Sequence, residues 1–148
     1  MTNIKAFTDV EQSKKLAEIL PYESADMYYA GHRSIINPKE WEYGDTPKIR
    51  GKYISFDDKR IFYPAWSLSA LLTTLPNEII TDNRFECHYQ IDIRKYDGSD
   101  NTTLYQIAYG NNRGSSGSWH DMINTGEKES LVDCCVQMIL SLNKFNLL

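Results

Sequence analysis

Apolar and polar residues recur along this chain with two periods, and each stretch of one period marks an element. From Tyr63 to Pro76, Pro64 forbids helix at the residue before it, Ser67 has the chemistry of an N-cap, and Leu68, Leu71, Leu72 and Leu75 form one stripe that Pro76 ends. Trp66 and Leu71 stand at the N′ and N4 positions of that helix, the spacing of a hydrophobic staple. Thr8-Asp9-Val10-Glu11 reads as a capping box opening a helix from Asp9 to Leu20, with Pro21 as its stop. Near the other end Thr125 can cap a long helix opened by Glu127 and Glu129. Its stripe is Leu131, Val132, Cys135, Val136, Ile139, Leu142 and Phe145.

The clearest alternation of period two runs from Phe85 to Ile93: Phe85, Cys87, Tyr89, Ile91 and Ile93 are apolar, and Glu86, His88, Gln90 and Asp92 are polar. Turn residues from Asp97 to Asn101 follow. Thr103, Tyr105, Ile107 and Tyr109 alternate again, which predicts an antiparallel partner. Weaker patterns suggest two short strands, Ser24 to Tyr29 and Arg33 to Ile36, around a turn at Gly31-His32. Asn37-Pro38 reads as a cap with a first-turn proline, leading into a helical turn from Lys39 to Tyr43 that carries Trp41. Gly44 to Gly51 reads as loop. Lys52 to Phe56 and Arg60 to Tyr63 read as a hairpin, and Gly110 to Ser118 as a glycine- and serine-rich mobile loop. The expected architecture is α+β, a single domain over residues 1–148. An antiparallel sheet of about four or more strands carries two or three helices on one face, the long C-terminal helix among them.

Composition narrows the function classes. A hydrophobic fraction of 41% with ten tyrosines and three tryptophans suits a globular fold rather than disorder. A net charge of −4 gives no field to gather a phosphate backbone, so nucleic acid is disfavoured. Neither a leader-like stretch nor a long apolar run is present, which points to the cytoplasm and away from membranes. Three cysteines are an odd set, better suited to reduced thiols than to a disulfide framework.

Candidate chemistry is sparse. Cys134 and Cys135 are neighbours on a helix, about 100° apart around its axis, and cannot share one nucleophile pocket. Cys87 alternates with inward residues. His32, His88 and His120 lack the close spacing of a metal site, so no metal and no cofactor is expected. Trp119-His120-Asp121 is more suggestive, because an imidazole next to a carboxylate after a glycine-rich loop can serve as a general base. That loop, with Arg113 in it, resembles a phosphate cradle but lacks the Gly-Lys-Ser/Thr ending. Lys48, Arg50, Lys52, Lys59 and Arg60 form modest basic clusters blunted by Glu40, Glu42, Asp57 and Asp58.

Three stretches carry a resemblance: Ser24 to Met27; Pro64-Ala65-Trp66-Ser67-Leu68-Ser69-Ala70-Leu71-Leu72 through Leu75-Pro76; and Val132-Asp133-Cys134-Cys135-Val136-Gln137-Met138-Ile139 through Leu148. Together they resemble a family of small uncharacterised proteins from prophages and mobile elements of anaerobic gut bacteria. Ala65, often cysteine in that family, and Cys134, often alanine, depart from its pattern and argue against a thiol site at either place. The resemblance implies a setting and no catalytic residue.

The leading expectation is a non-enzymatic accessory protein that binds an unidentified protein partner through surplus aromatics at Tyr28, Tyr29, Trp41, Tyr43 and Trp119. The alternative is a hydrolase or a small-ligand or nucleotide binder using His120, Asp121 and Arg113. A transcriptional or nucleic-acid regulator comes third.

Overall fold

The first helix, α1 (Val10–Ala17), is capped one residue later than the Thr8–Glu11 box predicts. Asp9 takes the role: its carboxylate accepts from the Gln12 amide at 2.8 Å, and the Gln12 side chain accepts from the Asp9 amide at 3.2 Å. Thr8 cannot serve, because its buried hydroxyl accepts the Trp66 amide at 3.1 Å and pairs with Ser13 Oγ at 2.8 Å. The computed structural model describes residues 4–148 apart from Tyr53, Lys59, Arg84 and 114–116, and their side chains apart from those of residues 82, 83, 85 and 113. The chain divides into two compact units, Met1–Thr74 and Leu75–Leu148.

The first unit is organised on β1 (Met27–Arg33), which pairs antiparallel with β2 (Trp41–Tyr43), β3 (Lys48–Ile49) and β4 (Phe62–Ala65). Gly31-His32 is therefore not a turn. The strand runs through it, and Gly31 is glycine because a Cβ there would sit 1.8 Å from the Arg60 carbonyl oxygen. The reversal comes later, at residues 34–40, so Ile35 and Ile36 belong to a loop rather than a strand. Trp41 sits in β2 and not in a helical turn. Part of the expected 44–51 loop is strand β3, and Phe62 to Ala65 pair with β1 instead of closing a hairpin on Lys52 to Phe56. Among the described residues of 52–56, none is in a strand.

Helix α2 (Leu68–Thr74) follows β4 with the predicted cap, Ser67 Oγ accepting the Ala70 amide at 3.1 Å. Ser67 is itself held by Asp26, to which its amide donates at 2.8 Å and its hydroxyl also donates. Trp66 is completely buried, and its Nε1 donates to Ser24 Oγ at 2.9 Å. The strand-like segment before α1 lies against this turn: the Thr8 amide donates to the Trp66 carbonyl and the Leu68 amide to the Ala6 carbonyl, both at 2.9 Å.

The second unit is an antiparallel meander of β5 (Glu78–Asn83), β6 (Phe85–Asp97), β7 (Thr103–Arg113) and β8 (Ser118–Asn124), with α3 (Leu131–Lys144) along β7. The turn predicted after Asp97 is a short 3-10 segment, Ser99–Asn101, with Asp100 and Asn101 at positive φ. Much of the expected Gly110 to Ser118 loop is strand; 114–116 lie outside the described residues. The helix begins at Ser130, whose hydroxyl accepts from the Asp133 amide at 3.3 Å. Thr125 does not cap it, because its hydroxyl accepts the Ile107 amide at 3.1 Å, extending the sheet's edge. Ile107 and Tyr109 are buried, as are Val132, Cys135, Met138, Ile139 and Leu142 of α3. The α+β class, the antiparallel sheet and the long C-terminal helix match the pattern read from the sequence, and no helix among the described residues is long and apolar enough to cross a membrane.

Candidate functional site

His120 and Asp121 are consecutive on β8, and consecutive strand residues point to opposite faces of a sheet. The carboxylate is engaged elsewhere. Arg94 on β6 forks onto it, Nη1 donating at 3.0 Å and Nη2 at 2.6 Å, and Trp119 Nε1 donates to it at 2.8 Å. Those bonds, the Arg94 fork above all, hold the Asp121 carboxyl below the usual carboxylate range. Arg94 Nε also donates to Asp92 at 2.7 Å, and Gln106 accepts from both Arg94 at 3.2 Å and Tyr96 at 3.1 Å. The result is a polar lattice across three strands, with each carboxylate of the fork matched to a donor. Trp119 is fixed in it by Gly110, where a Cβ would stand 2.8 Å from the indole. The backbone of Arg113 ends β7 opposite Ser118; its side chain lies outside the described residues.

The thiols sit where packing puts them. Cys134 and Cys135 are buried, Cys134 Sγ donates to the Tyr105 carbonyl at 3.2 Å, and burial pushes the Cys135 thiol up to about 12. Raised thiols are poor nucleophiles at neutral pH. In the native protein a thiol reagent is therefore expected to label the half-buried Cys87 first, with Cys134 and Cys135 reacting only as the chain unfolds; mass spectrometry of partially labelled protein checks this.

His88 lies on the exposed face of β6 between two carboxylates, Nδ1 2.7 Å from Glu78 and Nε2 2.9 Å from Glu86. The bond to Glu78, then the neighbouring charges, raise its pKa above the ordinary 6.5. Because the folded value is the higher one, the stabilisation is whole below about pH 6.5 and fades as pH rises through the folded value. An NMR titration should find the His88 midpoint above the ordinary histidine value of 6.5. Glu78→Gln should lower it. Among the described residues no group of three or more histidines, cysteines or carboxylates could hold a metal ion.

A cavity of about 680 Å³ opens in the first unit, with Phe7, Met27 and Ile49 on its apolar side and Glu23, Asp26 and Lys52 among its polar residues. Arg50 also borders it. Its guanidinium is turned onto the Tyr22 and Ala25 carbonyls at 3.2 and 3.3 Å and lies over the Phe56 ring at 4.5 Å. Neither His120 nor Asp121 is among the described residues that line this cavity.

At the other end of β1 the hairpin gathers the remaining candidates. Trp41 lies under two guanidinium groups, Arg33 at 5.7 Å and Arg60 at 5.8 Å. Arg60 is forked onto Asp58 at 3.1 and 3.0 Å, whereas Arg33 donates to the Pro38 carbonyl at 3.2 Å and has no carboxylate partner among the described residues. Tyr43 packs edge-on against Tyr63 with ring centroids 5.6 Å apart. The loop between the strands is held by its own bonds: the Ser34 amide to the Glu40 carbonyl at 2.9 Å, the Glu40 amide to the Asn37 carbonyl at 2.9 Å, and the Asn37 amide to Ser34 Oγ at 3.2 Å. On that loop Ile35 is 96% exposed and Ile36 94%.

The expected aromatic patch is thereby redrawn. Tyr29 is 2% exposed, its hydroxyl donating to the Thr8 carbonyl at 2.7 Å, so it belongs to the core. Trp119 and Trp41 lie in different units. The isoleucine pair was absent from the sequence candidates because Arg33 to Ile36 has the composition of a strand. The one available signal was Asn37-Pro38 immediately after it, which fits a turn as well as a helix start. No family model, curated protein or solved structure matches the chain.

Proposed function

We propose that this chain is a non-enzymatic protein-binding module that docks through the end of its β1–β2 hairpin. Its resemblance to small uncharacterised proteins of prophages and mobile elements supports a role as an accessory protein of such an element. The observation that carries the reading is the pair Ile35 and Ile36, both more than nine-tenths exposed on a loop closed by its own hydrogen bonds. Burying each isoleucine is worth about 1.5–3 kcal/mol, and the fold collects none of it. A partner can. A loop ordered before contact loses little entropy on binding, and the neighbouring Trp41 and Arg33 are of the residue types that dominate interface energetics. The hydrolase reading draws no support from Asp121, whose oxygens are engaged by Arg94 and Trp119.

A photo-reactive amino acid placed at position 36 tests the proposal in the native cells, with the same group at the exposed Glu18 as control. Docking through the hairpin predicts a discrete adduct at 36 that is absent at 18 and disappears when Ile35 is changed to Ser. Equal labelling at both positions, or none at 36, would refute it.

A further inference from the structure

One face of the second sheet carries a continuous hydrogen-bonded row across three strands. Trp119 Nε1 donates to Asp121 at 2.8 Å, Arg94 forks onto Asp121 and donates to Gln106 at 3.2 Å, and the Tyr96 hydroxyl donates to Gln106 at 3.1 Å. Every link is a bond between side chains, so the five groups stand on one side of the sheet, and Ile107, next to Gln106 on β7, is buried on the other. The row ends in two exposed rings, Trp119 and Tyr96, each 37% accessible. The indole is held still by its bond to Asp121 and its contact with Gly110. Part of the hydrogen-bonding capacity is unused. The Gln106 side-chain amide has no acceptor among the described residues, and Asp92, which accepts from Arg94 at Oδ2, has no described donor at Oδ1. The cations are committed: Arg94 is paired with Asp92 and Asp121, and His88, on the same face of β6, lies between Glu78 and Glu86.

We propose that this face binds a neutral sugar chain, one pyranose stacked on Trp119 and the hydroxyls of the following sugars bonded to Asp92 and Gln106. The C–H bonds on one side of a glucose or galactose ring make a weakly positive apolar face, which sits on the negative face of an indole. A hydroxyl donates and accepts at once, so sugar hydroxyls use both the Gln106 donor and the Asp92 acceptor. An ammonium group would leave Gln106 unmatched. A phosphate or carboxylate meets no uncommitted cation among the described residues of this face. Gly110, beneath the indole, and Gln106 are four residues apart on β7, about 13 Å, so a chain of sugars rather than a monosaccharide reaches from ring to amide. A face already locked by its own bonds loses little entropy on binding. It binds without cleaving: Arg94 keeps Asp121 ionised, so that carboxyl cannot be the protonated acid a glycosidic bond needs. The site lies in the second unit and is independent of the hairpin.

Native electrophoresis of the full chain through gels containing soluble starch, laminarin, xyloglucan or galactomannan tests this, with polygalacturonate and alginate as the acidic counterparts. At least one neutral polysaccharide is expected to retard the protein. Trp119→Ala should weaken that binding about tenfold or more and Trp119→Tyr about threefold or less, with the circular dichroism of both unchanged. Gln106→Glu keeps the acceptor for Arg94 and Tyr96 but removes the free amide donor, and should weaken binding about fivefold. Trp41→Ala, in the first unit, should change nothing, and the position-36 adduct should be the same in Trp119→Ala as in wild type. Retardation by none of the neutral polysaccharides, or by the acidic ones alone, overturns the proposal. So does retardation indifferent to both Trp119→Ala and Gln106→Glu.

Discussion

Trp66→Ala is expected to lower the unfolding free energy by about 3–5 kcal/mol, the range for deleting a buried large aromatic side chain. The indole is 0% exposed and hydrogen-bonded to Ser24. Its backbone is also shared, because the Trp66 amide and carbonyl both bond to Thr8, and Thr8 in turn accepts from Tyr29. Loss of the ring therefore loosens the N-terminal segment and the start of α2 together. Urea denaturation followed by circular dichroism measures the loss. Trp66→Phe separates the two contributions, keeping most of the apolar volume and giving up the bond to Ser24, and should cost about 1–2 kcal/mol. A Trp66→Ala protein within about 1 kcal/mol of wild type would contradict the packing described for this unit.

The second large effect is expected at Gly31. Any Cβ there would stand 1.8 Å from the Arg60 carbonyl oxygen and 2.9 Å from the Tyr43 ring. Backbone has to move to admit it, and the segment that moves includes Ile61, whose carbonyl accepts the Gly31 amide at 2.8 Å. Gly31→Ala should cost about 3 kcal/mol, at the upper end of overpacking penalties. It should also draw Arg60 away from Trp41, so position-36 cross-linking should fall along with stability. The same substitution at Gly44, where an added Cβ meets nothing within 4 Å, is the control and should be nearly neutral.

Gly31 also shows why part of this fold was hidden in the sequence. A glycine in a polar stretch reads as a turn, yet here it marks the close approach of the turn that leads into β4, 29 residues away at Arg60. Thr8 is a second case: its capping role was legible, but the Trp66 amide 58 residues on had first claim to its hydroxyl. Strand β5 went unseen because Ile79 and Ile80 are adjacent and break the alternation; one is buried and the other exposed. By contrast the cap and stripe of α2, the stripe of α3 and the β6–β7 hairpin were readable, because their signals are local; the cap of α3 was not, since Ser130 takes the place expected of Thr125.

The candidate site divides along the same line. Asp121 stood out beside His120, but what it does depends on Arg94, 27 residues earlier and on another strand, which no local pattern reveals. Trp41 and Tyr43 were visible as surplus aromatics. Their relation to Arg33 follows from the β1–β2 register, in which Arg33 lies opposite Trp41. Ile35 and Ile36 looked like core residues, and only the placement of the turn put them in water.

A partner seated on the β1–β2 hairpin end would cover the amides of its loop. Amide hydrogen exchange tests it most directly, comparing the dilute protein alone with the protein bound to whichever chain the position-36 cross-link captures, a second copy included. Slowed exchange is predicted at residues 35–39, while α3 keeps its rates. Unchanged exchange across the hairpin, with protection on the β8 face around Trp119 instead, would contradict the account.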